Sequence, residues 1–172
     1  LHNRENAACV LALFHALVLP SDVAEKSLQK FQGTWRRFDR KGVRNGVQVI
    51  DDYAHHPTEV RATLSSLRGM YPDKKIWIVF QPHQYSRTRL LFDDFVQSFG
   101  QADYVLIPHI YRVRDTDEDV ASVSAESLAQ AIGEKALYTE SEEKTLALLE
   151  AELGENDVLC TMGAGPIYRL GE

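Results

Sequence analysis

The chain has 172 residues, of which 44% are hydrophobic and 26% charged, and its formal net charge is −6. This length and composition suit one domain of ordinary size, or one domain with a small appendage, and they exclude wholesale disorder. The negative charge argues against a general binder of nucleic acid or of a membrane surface. Because no apolar stretch approaches the roughly 18 residues that span a bilayer, we expect a soluble, cytoplasmic protein with no membrane partner. The two cysteines, Cys9 and Cys160, are too few for a disulfide framework or a zinc site, and we expect both thiols to be buried.

The first thirty or so residues predict two helices. Apolar residues recur at helical spacing over 3–19, Pro20 ends this pattern, and a second helix is predicted over 21–33. The helical pattern begins without any lead-in, so we expect the chain to be a piece of a longer protein. A helical hairpin this thin cannot bury a core of its own. We therefore expect residues 1–32 to be the last helices of a preceding domain, and residues 33–172 to form a second domain.

Predicted strands alternate with helices along the rest of the chain. The sequence predicts an extended segment at 34–39, a turn at 42–46, and apolar strands at 47–50, 76–80, 104–107, 136–138 and 158–162. Amphipathic helices are predicted between most of these strands, and Pro57 suits the first position of one of them. Such alternation predicts an α/β fold with a mainly parallel sheet and helices on both faces, preceded by the short helical hairpin.

Four polar loops are expected to meet at one edge of this sheet. They follow predicted strands and lie at 51–56, 81–87, 108–112 and 163–166. In parallel sheets ligands bind beyond the carboxyl ends of the strands, near the point where the strand order switches. We therefore expect a single rim formed by these loops to be the functional site.

The loop at 51–56 contains the densest group of chemically active side chains. Asp51 and Asp52 are neighbours in an extended segment, so their side chains should point to opposite faces and only one should enter a cleft. That carboxylate could accept hydrogen bonds from a ribose diol, help to hold a metal, or cap the following helix. His55 and His56 could be metal ligands, general bases or neutral hydrogen-bonding groups. A metal site would need further ligands at a recognisable spacing, so we assign none.

The segment Q-P-H-Q-Y-S-R-T-R at 81–89 predicts an anion site. His83 and Arg87 place donors at a strand end, just before a helix N-terminus, where backbone N–H groups and a guanidinium favour a carboxylate or a phosphate. In the alternative interpretation, Arg87 and Arg89 only pair with acidic residues of the following helix.

Three smaller groups could also contact a ligand. If 34–39 is extended, Arg36 and Arg37 face opposite ways, so one should lie in a cleft and the other in solvent. The turn at 163–165 allows a ligand to approach the backbone closely, or is simply tight. Polar side chains gather at the start of the first helix, at His2, Asn3 and Asn6. Amides can read the edge of an adenine ring, although Asn3 could equally be a plain helix cap.

These segments, taken together, resemble the Mur ligases, the ATP-dependent amide-forming enzymes of peptidoglycan precursor synthesis. The matching motifs are H-N-R-E-N at 2–6, F-Q-G-T-W-R-R-F at 31–38, D-D-Y-A-H-H-P-T-E at 51–59, F-Q-P-H-Q-Y-S-R-T-R at 80–89, A-D-Y-V-L at 102–106, I-Y at 110–111 and G-A-G at 163–165. They cover essentially the whole chain, and the third and fourth are long and specific.

The resemblance implies a three-domain enzyme, of which this chain would be the carboxy-terminal part. Residues 1–32 would be the last helices of the central, ATP-binding domain, and residues 33–172 the Rossmann-like carboxy-terminal domain. The phosphate-binding loop G-x-x-x-x-G-K-S/T does not occur in this sequence. The amino-terminal and central domains would be partners that are missing from this chain. ATP and Mg²⁺ would be held mainly by the missing central domain, so we expect the chain alone to be inactive.

The resemblance also assigns roles to individual residues. Those placed at ATP are His2, Asn3 and Asn6 near the adenine, Arg37 near the phosphates, and Asp52 at the ribose. Those placed at the amino acid and the muramoyl carboxylate are Tyr53, His55, His83 and Arg87. Arg37, His55, His83 and Arg87 would be the catalytic residues. Gln84 departs from the family pattern, in which an arginine often follows the histidine of Q-P-H.

Within the family, the motifs match best the members that join L-alanine to UDP-N-acetylmuramate. The implied mechanism activates the muramate carboxylate with ATP, and the alanine amine then attacks the acyl phosphate. One alternative is the ligase that transfers a murein tripeptide to the same UDP-sugar. A second is a metal-dependent phosphoesterase that uses the Asp and His residues of the loop at 51–56. A third is a nucleotide-binding module without chemistry.

Overall fold

The computed structural model describes residues 2–31 and 33–172, with side chains from Arg4 onward, and it divides into two compact units between Thr34 and Trp35. The first unit contains helices α1 (His2–Ala16) and α2 (Ser21–Lys30). The second helix is shorter than predicted, because Phe31 already has an extended backbone. Cys9 is exposed on α1, so the prediction of a buried thiol there was wrong, whereas Cys160 in the second unit is buried as expected.

The second unit contains six strands and six further α-helices. The strands are β1 (Asp39–Arg44), β2 (Val47–Asp52), β3 (Ile76–Phe80), β4 (Tyr104–Ile107), β5 (Ala136–Tyr138) and β6 (Val158–Met162). The helices are α3 (Pro57–Met70), α4 (Tyr85–Leu90), α5 (Phe92–Val96), α6 (Asp117–Ser122), α7 (Ala125–Ile132) and α8 (Glu142–Glu152), with short 3-10 helices at Gln97–Phe99 and Pro166–Gly171. No helix in the described ranges is both long enough and apolar enough to cross a bilayer.

The six strands form one sheet in the order β1-β2-β6-β3-β4-β5. Only β1 runs antiparallel to its neighbour, and the other strands are parallel. The predicted α/β fold with a mainly parallel sheet is therefore confirmed. Because β6 inserts between β2 and β3, the strand order switches there, and Asp52, Met162 and Phe80 lie side by side at the carboxyl ends of these strands.

Helices cover both faces of the sheet because alternate residues of each strand point to opposite sides. On one face, α3, α5 and α7 pack against side chains such as Ile50, Ile78 and Cys160. On the other face, α8 and the last 3-10 helix pack against side chains such as Val49 and Leu159. The central strands are buried on both sides, which explains their continuous apolar sequences.

The first strand, β1, was not predicted. Residues 34–38 were predicted to be extended, but they are irregular, and Arg36 and Phe38 have positive φ angles of 57° and 50°. The predicted turn at 42–46 is mostly strand. The actual turn has two residues, Asn45 and Gly46, whose φ angles of 48° and 82° suit an Asn-Gly hairpin. One helix was also missed: α6 forms over 117–122, where no helix was predicted.

Candidate functional site

The loops that follow the parallel strands converge on one rim, as predicted. The amide of Gly163 donates to the carbonyl of Asp52 over 3.1 Å, and the amide of Gln81 donates to the carbonyl of Met162 over 2.9 Å. The amide of Gln84 donates to the carbonyl of Tyr111, also over 2.9 Å. Backbone hydrogen bonds therefore fix all four loops to one another at the switch in strand order.

Asp51 forms a buried ion pair at this rim. Its carboxylate accepts a hydrogen bond from Nε of Arg36 at 2.8 Å and another from the hydroxyl of Thr161 at 2.7 Å. Both charged side chains are almost completely buried. A carboxylate engaged in this way is not free to bind a metal or a ribose, so the role of Asp51 is structural.

Asp52 points to the other face of the sheet and binds the backbone. One carboxylate oxygen accepts from the amide of Phe38 and the other from the amide of Ala54, each over 2.8 Å. Desolvation raises the pKa of Asp52 despite these hydrogen bonds. The residue remains 7% exposed, and each oxygen has a second lone pair. Its structural contacts are therefore compatible with one further hydrogen bond, such as one from a ribose hydroxyl.

The two histidines of the first loop have different environments. His56 is exposed and caps α3, because its Nδ1 accepts from the amide of Thr58 at 3.3 Å. The helix cap is thus His56 and neither aspartate. Nδ1 of His55 lies 3.0 Å from the carbonyl of Tyr53 and 3.3 Å from a carboxylate oxygen of Glu59, which orient its ring.

Four aromatic rings from three loops form a row along the rim. The ring centroids of Tyr53 and His55 are 5.3 Å apart, and those of His55 and His83 are 6.3 Å apart. The ring of Tyr111 stacks on His83 at 5.5 Å. His55 and His83, which are separated in sequence but were both predicted to belong to the site, are therefore near neighbours in space.

Arg37 lies next to this row and is accessible. About half of its side chain is exposed, whereas the Arg36 side chain is buried. The guanidinium of Arg37 lies 5.2 Å from the ring centroid of Tyr53 and 3.7 Å from a carboxylate oxygen of Glu59. An exposed guanidinium held only by a surface contact of this kind can turn towards an anionic ligand.

His83 is a partly buried imidazole with a lowered pKa. Desolvation lowers its pKa, and the nearby side chains of Arg87 and His55 lower it further. Its Nδ1 and the Oε1 of Gln81 are buried atoms without a hydrogen-bond partner in the described residues. Such unsatisfied groups are uncommon in folded proteins and cost free energy, unless a ligand or a water completes them. Arg87 lies beside them with one long hydrogen bond to the carbonyl of His83, and within the described residues it pairs with no carboxylate.

The alternative roles of Arg89 and Gln84 are resolved by their contacts. Arg89 is exposed and lies 3.4 Å from a carboxylate oxygen of Asp119, rather than pairing within its own helix. Gln84 has a positive φ of 75°, and its amide group donates to the carbonyl of Val113 at 3.4 Å. Gln84 therefore stabilises the loop and does not replace the cationic contact, which leaves Arg87 as the cation nearest His83.

The structure thus brings together some of the candidate residues and separates others. At the rim lie Arg37, Asp52, Tyr53, His55, His83 and Arg87. The Asp and His residues proposed for a phosphoesterase do not converge, since Asp51 and His56 are engaged elsewhere, and no group of three potential metal ligands occurs among the described residues. The contributions of Arg36, Gln81 and Tyr111 to the rim were not predicted, although Tyr111 belongs to the I-Y motif.

The proposed adenine contacts remain a prediction. Asn6 is exposed on α1 in the first unit. The side chains of His2 and Asn3 lie outside the described part of the chain.

Titration of His83 would test the electrostatics of the rim. In the folded 172-residue chain its pKa should lie below the ordinary 6.5, so the folded state should lose stability as the pH falls below that value, because the unfolded chain binds the proton more readily. Arg87→Ala removes a positive neighbour and should raise the pKa of His83. Arg89→Ala, at the arginine that faces Asp119, should leave it unchanged. NMR of the imidazole protons measures both, and an unaltered pKa in Arg87→Ala would contradict the assignment.

Comparison with known proteins supports the resemblance found in the sequence. The family model described as "Mur ligase, glutamate ligase domain" matches residues 36–165. The UDP-N-acetylmuramate–L-alanine ligase of Lachnospira eligens is 43% identical over 173 residues, which cover 100% of this chain and 38% of that protein. The enzyme of the same name from Clostridium acetobutylicum is 44% identical over 174 residues, covering 99% of this chain and 37% of that protein.

Solved structures give the same relationship. The UDP-N-acetylmuramate–alanine ligase of Thermotoga maritima superposes with a TM-score of 0.73 at 29% identity, over 99% of this chain and 36% of that one. The murein peptide ligase of Psychrobacter arcticus gives a TM-score of 0.68 at 25% identity, over 99% and 35%. The chain spans 37–38% of the length of the two curated relatives described above. With the family model matching most of its length, the chain belongs to the Mur ligase family.

Proposed function

We propose that this chain is the carboxy-terminal part of an ATP-dependent ligase that joins L-alanine to UDP-N-acetylmuramate. The observation that carries the proposal is the rim itself, where His55, His83 and Arg87 from two separate loops gather beside Asp52 at the switch in strand order. The names of the relatives at 43% and 44% identity support this choice of substrates. Residues 1–32 would belong to the preceding ATP-binding domain, and residues 33–172 would close over the site.

Each residue of the rim would have a distinct task. ATP, with Mg²⁺ held mainly by the missing domains, would supply the phosphoryl group that activates the muramate carboxylate. Arg37 is exposed and would approach the phosphates, while Asp52 would accept a hydrogen bond from the ribose. Arg87, whose guanidinium has one long hydrogen bond to the carbonyl of His83, would bind the carboxylate of the amino acid.

His55 and His83 would act on the amine. An amine attacks only in its neutral form, so a neutral imidazole close by can accept its proton. The lowered pKa of His83 keeps that imidazole neutral near pH 7. His55, whose ring is oriented by Tyr53 and Glu59, would lie beside His83 and contact the same amine. Chemistry of this kind depends mainly on positioning and on neutralising charge.

The substrate assignment is tested in the longer protein to which this chain belongs. With ATP, Mg²⁺ and UDP-N-acetylmuramate present, we expect phosphate release that depends on L-alanine. If only the murein tripeptide supports release, the alternative ligase is correct. If neither does, the protein is a binding module without this chemistry. A matched sample of the 172-residue chain alone should be inactive, because it lacks the phosphate-binding loop.

Arg87→Ala should weaken the reaction without affecting the fold. Losing a charged contact to the amino-acid carboxylate should lower kcat/KM for L-alanine about 30- to 150-fold. This corresponds to a loss of about 2–3 kcal/mol of transition-state stabilisation. Arg89→Ala provides the matched control, since this exposed arginine faces Asp119. Steady-state kinetics of both variants in the longer protein make the comparison, and wild-type kinetics for Arg87→Ala would remove this residue from the site.

A further inference from the structure

Arg36 makes more rim contacts than any role assigned above requires. Its Nε donates to Asp51 at 2.8 Å, its Nη1 to the carbonyl of Gly165 at 2.9 Å, and its Nη2 to the carbonyl of Gly163. The residue is only 2% exposed. One guanidinium therefore connects the linker before β1, the end of β2 and the glycine turn after β6.

The backbone of Arg36 fixes the linker as well. Its carbonyl accepts from the amide of Tyr53 at 2.7 Å, which joins the linker to the first rim loop. Arg36 and Phe38 both have positive φ angles, a conformation that non-glycine residues adopt only when surrounding contacts hold it. Arg37 lies between them. The contacts of Arg36 therefore fix the backbone from which the exposed Arg37 side chain extends.

Aromatic rings complete the environment of Arg36. Its guanidinium carbon lies 5.1 Å from the ring centroid of Tyr53 and 4.6 Å from that of Tyr168. The guanidinium of Arg37 lies 5.2 Å from the same Tyr53 ring. The two neighbouring arginines thus share one aromatic ring, one of them buried and the other exposed. A lysine could supply the charge, but it lacks the planar fork that reaches three acceptors at once.

We propose that Arg36 is a positioning residue for the reaction. It holds the linker and the glycine turn in register, so that Arg37 projects over Tyr53 at the rim. The proposal rests on the proposed function, in which Arg37 approaches the phosphates of ATP. Arg36 itself is buried, so it would act without contacting a substrate. Its effect on catalysis would pass through Arg37.

A purely structural explanation gives a different expectation. If Arg36 only neutralised Asp51, its loss would lower stability and leave the kinetics of the folded molecules unchanged. If it positions Arg37, the two arginines act as a unit, and their substitutions should not be additive. A displacement of about 1 Å at a positioning residue can cost about 10²-fold in rate.

The test compares Arg36→Met, Arg37→Met and the double variant in the longer protein. We expect each single change to lower kcat/KM for ATP by about 10²-fold. In the double variant, kcat/KM for ATP should be at most about threefold lower than in either single variant. The KM for L-alanine should stay near that of the wild type, because Arg87 is unchanged. Arg68→Met is the matched control: Arg68 donates to Pro72, Lys74, Gln101 and Asp103 near the starts of β3 and β4, far along the strands from the rim. Arg68→Met should change the stability of the protein and leave kcat/KM for ATP unchanged.

Arg36→Lys covers the case in which Arg36→Met does not fold. It retains a positive charge for Asp51 but cannot reach both glycine carbonyls, so it should fold and still show lowered kcat/KM for ATP. In the 172-residue chain, Arg36→Lys should also speed hydrogen exchange at the amides of Tyr53 and Gly163. Wild-type kcat/KM for ATP in Arg36→Lys, or multiplicative effects in the double variant, would overturn the positioning role. Failure of the unsubstituted longer protein to release phosphate with L-alanine would instead overturn the proposed function.

Discussion

Gly163→Ala should destabilise the 172-residue chain by about 3 kcal/mol, through backbone strain and a steric clash. Gly163 has a φ of +147°, which side-chain-bearing residues rarely adopt, and a Cβ there would lie 2.6 Å from the carbonyl oxygen of Gln81. That oxygen cannot move away easily, because the amide of Gln81 is bound to Met162 between neighbouring strands. Urea unfolding followed by circular dichroism measures the change.

Gly133→Ala separates the two causes. Gly133 also has a positive φ, of +99°, but a Cβ there would meet nothing within 4 Å. Its replacement should therefore cost only the conformational strain, about 1–2 kcal/mol. Equal losses for the two variants would show that the close approach of the glycine turn to Gln81 does not matter.

Most of the parallel strands could be predicted because they are buried on both faces, whereas the edge strand β5 is only partly buried. Residues 76–80, 104–107, 136–138 and 158–162 carry mainly apolar side chains, and the structure has strands over these same ranges. β1 gives no such signal. It is an edge strand, largely exposed and rich in charge, and it forms because an Asn-Gly turn folds it back on β2. The hairpin was therefore recognisable only from the turn chemistry.

The general position of the site could be predicted, but its internal contacts could not. Parallel topology alone places the loops after β2, β3, β4 and β6 at one edge. Which arginine would be buried depends on the glycine carbonyls, which lie 127 and 129 residues away from Arg36 in sequence. The alternation rule that separated Arg36 from Arg37 assumed an extended segment. The structure separates them instead through two residues with positive φ.

Asp51→Ala should destabilise the chain by about 3–5 kcal/mol, because it leaves a buried guanidinium without its counter-charge. The loss also removes the acceptor of the Thr161 hydroxyl, a second buried group. By contrast, Glu140→Ala breaks an exposed pair with Lys144 and should change the stability little. Urea unfolding of both variants gives the comparison.

The double variant Asp51→Ala with Arg36→Met identifies the source of this loss. If the unpaired buried charge dominates, removing both partners should cost less than the sum of the two single losses, by 1 kcal/mol or more, roughly the coupling seen between contacting residues. Strict additivity would mean that the contacts of Arg36 with the glycine turn and of Asp51 with Thr161 stabilise the rim independently. The pair would then be two separate sets of hydrogen bonds that happen to meet, and the ionic contact between them would contribute nothing of its own.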